Sequence, residues 1–144
     1  MRHSGPVQIP DGYADLFDDS VTGFLVVATM RGPDQPSVAP VWFVADDLGL
    51  LFTSDDDSVK ARNVRRQPHV AGVVLAEGEH ARYVSVRGRV EEIVATGEDV
   101  VAVYRRIVRR YEQRDPTDPE PVGTAFFRLV PERMIGYDYR DYEA

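Results

Sequence analysis

The feature that most constrains this chain is the run from residue 82 to 94, where apolar and polar side chains alternate with period two. Val84, Val86, Gly88 and Val90 fall on one face, and Tyr83, Ser85, Arg87 and Arg89 on the other. Alternation over this length belongs to a long strand with one buried face, and a helix cannot hold it. Gly88 inside the run marks a bulge or the close approach of another backbone.

Such a strand needs partners, and the chain supplies them. Residues 21–30 are apolar on both faces and β-branched, which predicts a central strand. Residues 37–45 predict a second strand interrupted by Pro40, which cannot donate to a ladder and so belongs at an edge or bulge. Asp46-Asp47-Leu48-Gly49 reads as a hairpin turn into a third strand at 50–53. His69–Ala76 is a fourth strand, and residues 125–130 form the last, followed by Pro131 and a further apolar stretch at 134–137. Helical signals are fewer. Residues 11–19 predict a short helix with Asp11 as a possible N-cap. Residues 54–66 predict another, with Asp55, Asp56, Asp57 and Ser58 as cap candidates and Pro68 as the stop. Residues 97–111 form the clearest helix. Val100, Val101, Tyr104, Ile107, Val108 and Tyr111 repeat at its spacing, and Arg105, Arg106, Arg109 and Arg110 suit its C-terminal end. The expectation is a mainly β domain of six antiparallel strands with a few helices, closed or partly closed into a small barrel. A doubly wound parallel sheet is excluded, because the helices are too few and misplaced. Residues 1–144 read as one domain, with 1–10 a loose arm.

Composition narrows the function classes. The formal net charge is −7, which argues against a general nucleic-acid binder. No apolar run approaches the ~20 residues that span a bilayer, and the start lacks the apolar core of a signal peptide, so a cytoplasmic protein is expected. Cysteine is absent, which removes thiolate chemistry and thiolate-held metals. His3, His69 and His80 are scattered, so no metal site is expected. The sequence shows no Gly-x-Ser-x-Gly, no Gly-rich dinucleotide loop and no calcium-loop spacing at Asp55-Asp56-Asp57.

The 17 basic residues comprise 16 Arg and one Lys, Lys60. Codon drift accounts for the bias, but Lys60 stands where a strand gives way to a helix. The stretch Thr53-Ser54-Asp55-Asp56-Asp57-Ser58-Val59-Lys60 brings hydroxyls, helix-start amides and an ammonium into reach of one anion. A solvated helix face is the competing reading of the same residues. Arg62, Arg65 and Arg66 either extend a basic groove or complement the helix dipole.

In order and spacing, the segments Pro36–Phe43, Leu51–Ser54, Ser58–Val70 and Arg82–Glu91 resemble the pyridoxamine 5′-phosphate oxidase-like split β-barrel flavoproteins. Among these, the chain is most similar to the flavin/deazaflavin oxidoreductases that use coenzyme F-420. The resemblance implies a homodimer with cofactor at the subunit interface. It places the strand of Pro40, Val41, Trp42 and Phe43 along the cofactor ring, and Thr53 and Ser54 near the ribityl chain or ring edge. Ser58, Lys60 and Asn63 then mark the phosphate end, and Arg87 lies on a strand near the interface. Alternation puts Trp42 on the face opposite Val41 and Phe43, so part of any ring contact there must be backbone; packing in the core or at a dimer interface is the other reading of Trp42. The C-terminal segment lacks the pyridoxamine-phosphate substrate pattern. What the resemblance implies is a cofactor-borne oxidoreductase with no protein nucleophile, passing hydride from reduced coenzyme F-420 to a small electron-poor acceptor. FMN is the alternative cofactor, and a non-catalytic flavin- or deazaflavin-binding protein the alternative role.

Overall fold

The computed structural model describes residues 7–93, 98–116 and 122–142. The first six residues of the expected arm, His3 and the expected helix start at Gly97 lie outside them. Seven strands form one antiparallel sheet: β1 (Gly23–Gly32), β2 (Gln35–Val41), β3 (Phe43–Ala45), β4 (Leu50–Asp55), β5 (His69–Ala76), β6 (Arg82–Glu92) and β7 (Thr124–Asp138). Helix α1 (Val59–Arg66) separates β4 from β5, and α2 (Glu98–Glu112) separates β6 from β7.

The strand order is β2-β1-β5-β6-β7-β4-β3. Strands β2 and β3 therefore occupy opposite edges, yet Trp42 alone separates them in the chain. Positions two apart lie within about 7 Å of each other. The sheet must curl until its edges meet, and Trp42 marks the seam. This corrects the six-strand expectation, because the predicted second strand is two. The break falls at Trp42, where the chain changes pairing partner from β1 to β4, and not at Pro40. Pro40 sits on edge strand β2, opposite Val26.

The inward faces hold the core. Leu25, Val27, Phe43, Phe52, Val74, Val84, Val86, Phe127 and Leu129 are all buried, and Leu16 and Phe17 close one end. Strand β6 buries Val84, Val86, Gly88 and Val90 in strict alternation. The register slips between Arg87 and Gly88, so Glu132 is an extra residue on β7. A Cβ on Gly88 would drive into the backbone at Val130 and Pro131. The bulge lets one 15-residue strand run through Pro131, where the sequence predicted a strand ending at residue 130.

Two helix expectations change. Residues 11–19 contain only a 3₁₀ turn, Ala14–Phe17, with Tyr13 at its N-cap position and no side-chain cap bond. Arg110 is not dipole decoration; it is 4% exposed and built into the core. Among the described residues no helix is long and apolar enough to cross a membrane, and no cluster of His, Asp and Glu fits a metal ion.

Candidate functional site

A cleft of about 410 Å³ opens between the β4–α1 junction and one face of α2. Its floor is built by the run the sequence singled out. Ser58 caps α1, its Oγ accepting from the Ala61 N–H at 3.0 Å. The same Oγ shares a 2.6 Å hydrogen bond with Ser54 Oγ. That pairing ties the end of β4 to the start of α1 and leaves the first-turn amides of Val59 and Lys60 without helical acceptors. Lys60 projects into the cleft. Among the described residues its ammonium has no hydrogen bond and no ion pair. Burial lowers its pKa from the ordinary lysine value, and Asp55 partly offsets that shift. A half-buried cation at a helix N-terminus favours a nearby negative charge.

Of the predicted site residues, Trp42, Thr53, Ser54, Ser58 and Lys60 line this cleft together. The others lie elsewhere. Val41 and Phe43 are buried in the core, as alternation across Trp42 requires. The Phe43 backbone is occupied too: its N–H donates to Tyr111 Oη at 3.1 Å, and its carbonyl accepts from Arg110 at 2.7 Å. Pro40 is exposed on the outer side of β2. Asn63 is 2% exposed and does not face the cleft; its amide donates to Thr29 Oγ1 at 3.0 Å and accepts from Arg66. Arg87 is exposed on the outer face of β6, beside Arg133 on β7.

The remaining arginines divide. Arg65 pairs with Asp56 at 2.5 Å and Glu92 at 2.7 Å, which holds its guanidinium charged and lowers the Glu92 pKa. Arg66 binds the carbonyls of Met30 and Arg31. Neither extends a basic groove. Arg62 is exposed and unpaired among the described residues.

The far wall was not foreseen. Tyr104, Ile107, Val108 and Glu112 of α2 line it, together with Thr124 of β7. The apolar stripe of α2 had one signal for this, since Tyr104, Val108 and Glu112 follow at i, i+4 and i+8 and the series ends in a charge. The stripe serves two surfaces, because Ile107 also packs on Val44 and Leu51. Trp42 is 43% exposed and lies parallel to Tyr111, with centroids 4.9 Å apart. One indole face is covered by Tyr111, and the side chain borders the cleft. Taken together, the site offers one cation, two carboxylates (Asp55 and Glu112), several hydroxyls and an aromatic plane.

A curled seven-stranded antiparallel sheet whose edge strands are joined through one residue, with an unpaired lysine where a strand meets a helix among the described residues, is consistent with a small split-barrel domain. The family model for pyridoxamine 5′-phosphate oxidase matches residues 13–137, and the chain belongs to that family. Among solved structures, an "F420 reductase" is 29% identical, covering 88% of this chain and 98% of its own, with a TM-score of 0.70. A conserved hypothetical protein from Mycobacterium tuberculosis is 25% identical over 100% of this chain and 93% of its own, with a TM-score of 0.74. A haem storage protein from Vibrio cholerae shares the fold at 17% identity, covering 91% of this chain and 96% of its own, with a TM-score of 0.72. No curated protein sequence matches the chain significantly.

Proposed function

We propose that this protein is an oxidoreductase that reduces a small electron-poor organic acceptor with hydride from reduced coenzyme F-420. The observation that carries the reading is Lys60, unpaired among the described residues, at the α1 N-terminus in a cleft bordered by Trp42. The residues fit such a cofactor. A phosphate would restore the charge partner Lys60 lacks and take bonds from the Val59 and Lys60 amides. The indole of Trp42 offers a flat neighbour for a tricyclic ring. When bound, the reduced deazaflavin supplies the hydride. The chain's own work is to bind, orient and shield. Lys60, Ser54 and Ser58 hold the phosphate end, Thr53 and Thr124 offer hydroxyls along the chain, and Tyr104 and Val108 wall the cleft from α2. The choice of F-420 is supported by the 29% identical reductase.

FMN is the second reading, and a specific observation favours it. Coenzyme F-420 carries a tail of carboxylates, yet Arg65 and Arg66 are engaged elsewhere and Asp55 and Glu112 also line the cleft. Arg62 remains for the tail.

We also propose a homodimer. The outward faces of β2, β1, β5, β6 and β7 align Pro40, Val26, Val73, Ser85 and Ile135 across the sheet, beside Val38, Ala28 and Ala71. No charge interrupts the sheet there until Arg87 and Arg133. Val38, Pro40 and Ala71 are exposed and the others half-buried, and an apolar patch running over five neighbouring strands fits an interface between two copies.

Anaerobic mixing of the protein with reduced F-420 and a quinone tests the reading, followed by the return of oxidised-deazaflavin absorbance and run in parallel with FMN. Turnover above the protein-free rate is expected with F-420. Binding without turnover contradicts the enzyme reading and favours a carrier.

A further inference from the structure

We propose that Tyr111 is a positioning residue that couples closure of the barrel seam to the orientation of Trp42 in the cleft. The step from Trp42 to ligand rests on the cofactor reading above; the step from Tyr111 to Trp42 does not.

Trp42 is the one residue between the two sheet edges, so no ladder pairing holds it. The start of β1, which runs past the end of β2, is tied to β3 instead by two successive residues near the end of α2. The Tyr111 hydroxyl donates to the Gly23 carbonyl at the start of β1 and accepts from the Phe43 N–H of β3 at 3.1 Å. Arg110 reaches the same two sides. It donates to Val21 O at 3.0 Å, Leu16 O at 3.3 Å and Phe43 O at 2.7 Å, and its guanidinium covers the Phe43 ring at 4.5 Å. A buried arginine with only carbonyl acceptors is costly, and here it ties β3 to the chain leading into β1 alongside Tyr111.

The Tyr111 ring does a second task. It lies 4.9 Å from the Trp42 indole at an interplanar angle of 2°. A half-exposed indole beside an open cleft has several staggered rotamers available. Stacking on a ring whose own hydroxyl is fixed at the seam selects one of them. The helix that carries Tyr111 also carries Tyr104 and Val108, which wall the cleft. Seam, indole and wall therefore share one anchor.

Trp42 is the only tryptophan, so indole fluorescence comes from this one side chain. The test compares wild type, Tyr111→Phe, Tyr111→Leu and a core control that touches neither ring, Val74→Ala, in the absence of ligand. Tyr111→Phe keeps the ring and removes the seam bonds. It is expected to raise acrylamide quenching and lower the anisotropy of Trp42, and Tyr111→Leu to do so further. Val74→Ala is expected to lower Tm while leaving both signals unchanged. In the ligand arm, Tyr111→Phe is expected to weaken binding of F-420 or FMN about tenfold, the effect of one or two net hydrogen bonds. Wild-type quenching and anisotropy in both Tyr111 variants overturn the proposal. If wild type binds neither cofactor, the cofactor reading fails and the ligand-free arm still decides the role of Tyr111.

Discussion

Lys60 sits in the cleft at a cost. Burial lowers its pKa, so its protonated form is destabilised in the folded chain relative to the unfolded one. The sign follows directly. The penalty is full at neutral pH and fades as pH rises from the folded pKa toward the ordinary lysine value of 10.5. Lys60→Met is therefore expected to leave the thermal midpoint at neutral pH unchanged or higher, measured by calorimetry. Anion affinity runs the other way, since it needs the ammonium. It is expected to fall as pH rises through the lowered pKa, earlier than a solvent-exposed lysine would lose it, as read from cofactor titrations across the alkaline range. The position of Lys60 at the start of α1 was legible in the sequence because its setting is local, with strand end, cap and first turn contiguous. The roles of Arg65 and Asn63 were not legible. Arg65 is claimed by Glu92, 27 residues on, and Asn63 by Thr29, 34 residues back.

At the scale of elements, short-range chemistry predicted strands well and helix ends unevenly. Ser58 caps α1 as one of the expected candidates, and Ser58→Ala is expected to cost about 0.5–2 kcal/mol in chemical denaturation. The β6 alternation is reproduced residue by residue, and the bulge at Gly88 follows from its missing side chain. Gly88→Val is expected to cost about 1–3 kcal/mol, the range for forced overpacking, because the neighbour is backbone. The break at Trp42 was not legible, since nothing local distinguishes a continuous strand from one whose halves pair at opposite edges. The 3₁₀ turn Ala14–Phe17 is held from outside its own segment. Asp15 receives the Arg82 guanidinium at 2.6 Å, and that hydrogen bond is the main cause of its lowered pKa. A carboxylate with a lowered folded pKa contributes stability above its ordinary value of 3.8 and loses it as pH falls through the folded value. Acidification below about pH 4 is thus expected to release this turn before the barrel, visible as loss of amide-exchange protection at Leu16 and Phe17.

For the molecule as a whole, the curl of the sheet also creates both proposed working surfaces. Bringing β2 beside β3 puts Trp42 at the cleft and turns the apolar outer faces of β1, β2 and β5 to one side. Val73 lies at the middle of that side, opposite Val26 and Ser85. Val73→Asp is expected to yield a folded monomer where wild type sediments as a dimer; a wild-type monomer in sedimentation equilibrium contradicts the interface. The most direct test of the central claim, that this cleft holds a phosphate-bearing flavin-type cofactor through Lys60, is calorimetric titration of wild type and Lys60→Ala with F-420 and FMN side by side. Wild type is expected to bind F-420 more tightly than FMN. Lys60→Ala is expected to lose about 1.5–3 kcal/mol of affinity for both, the scale of a hydrogen bond to a charged group. Equal affinity of wild type and variant contradicts the phosphate seat, and no binding of either cofactor to wild type contradicts the account itself.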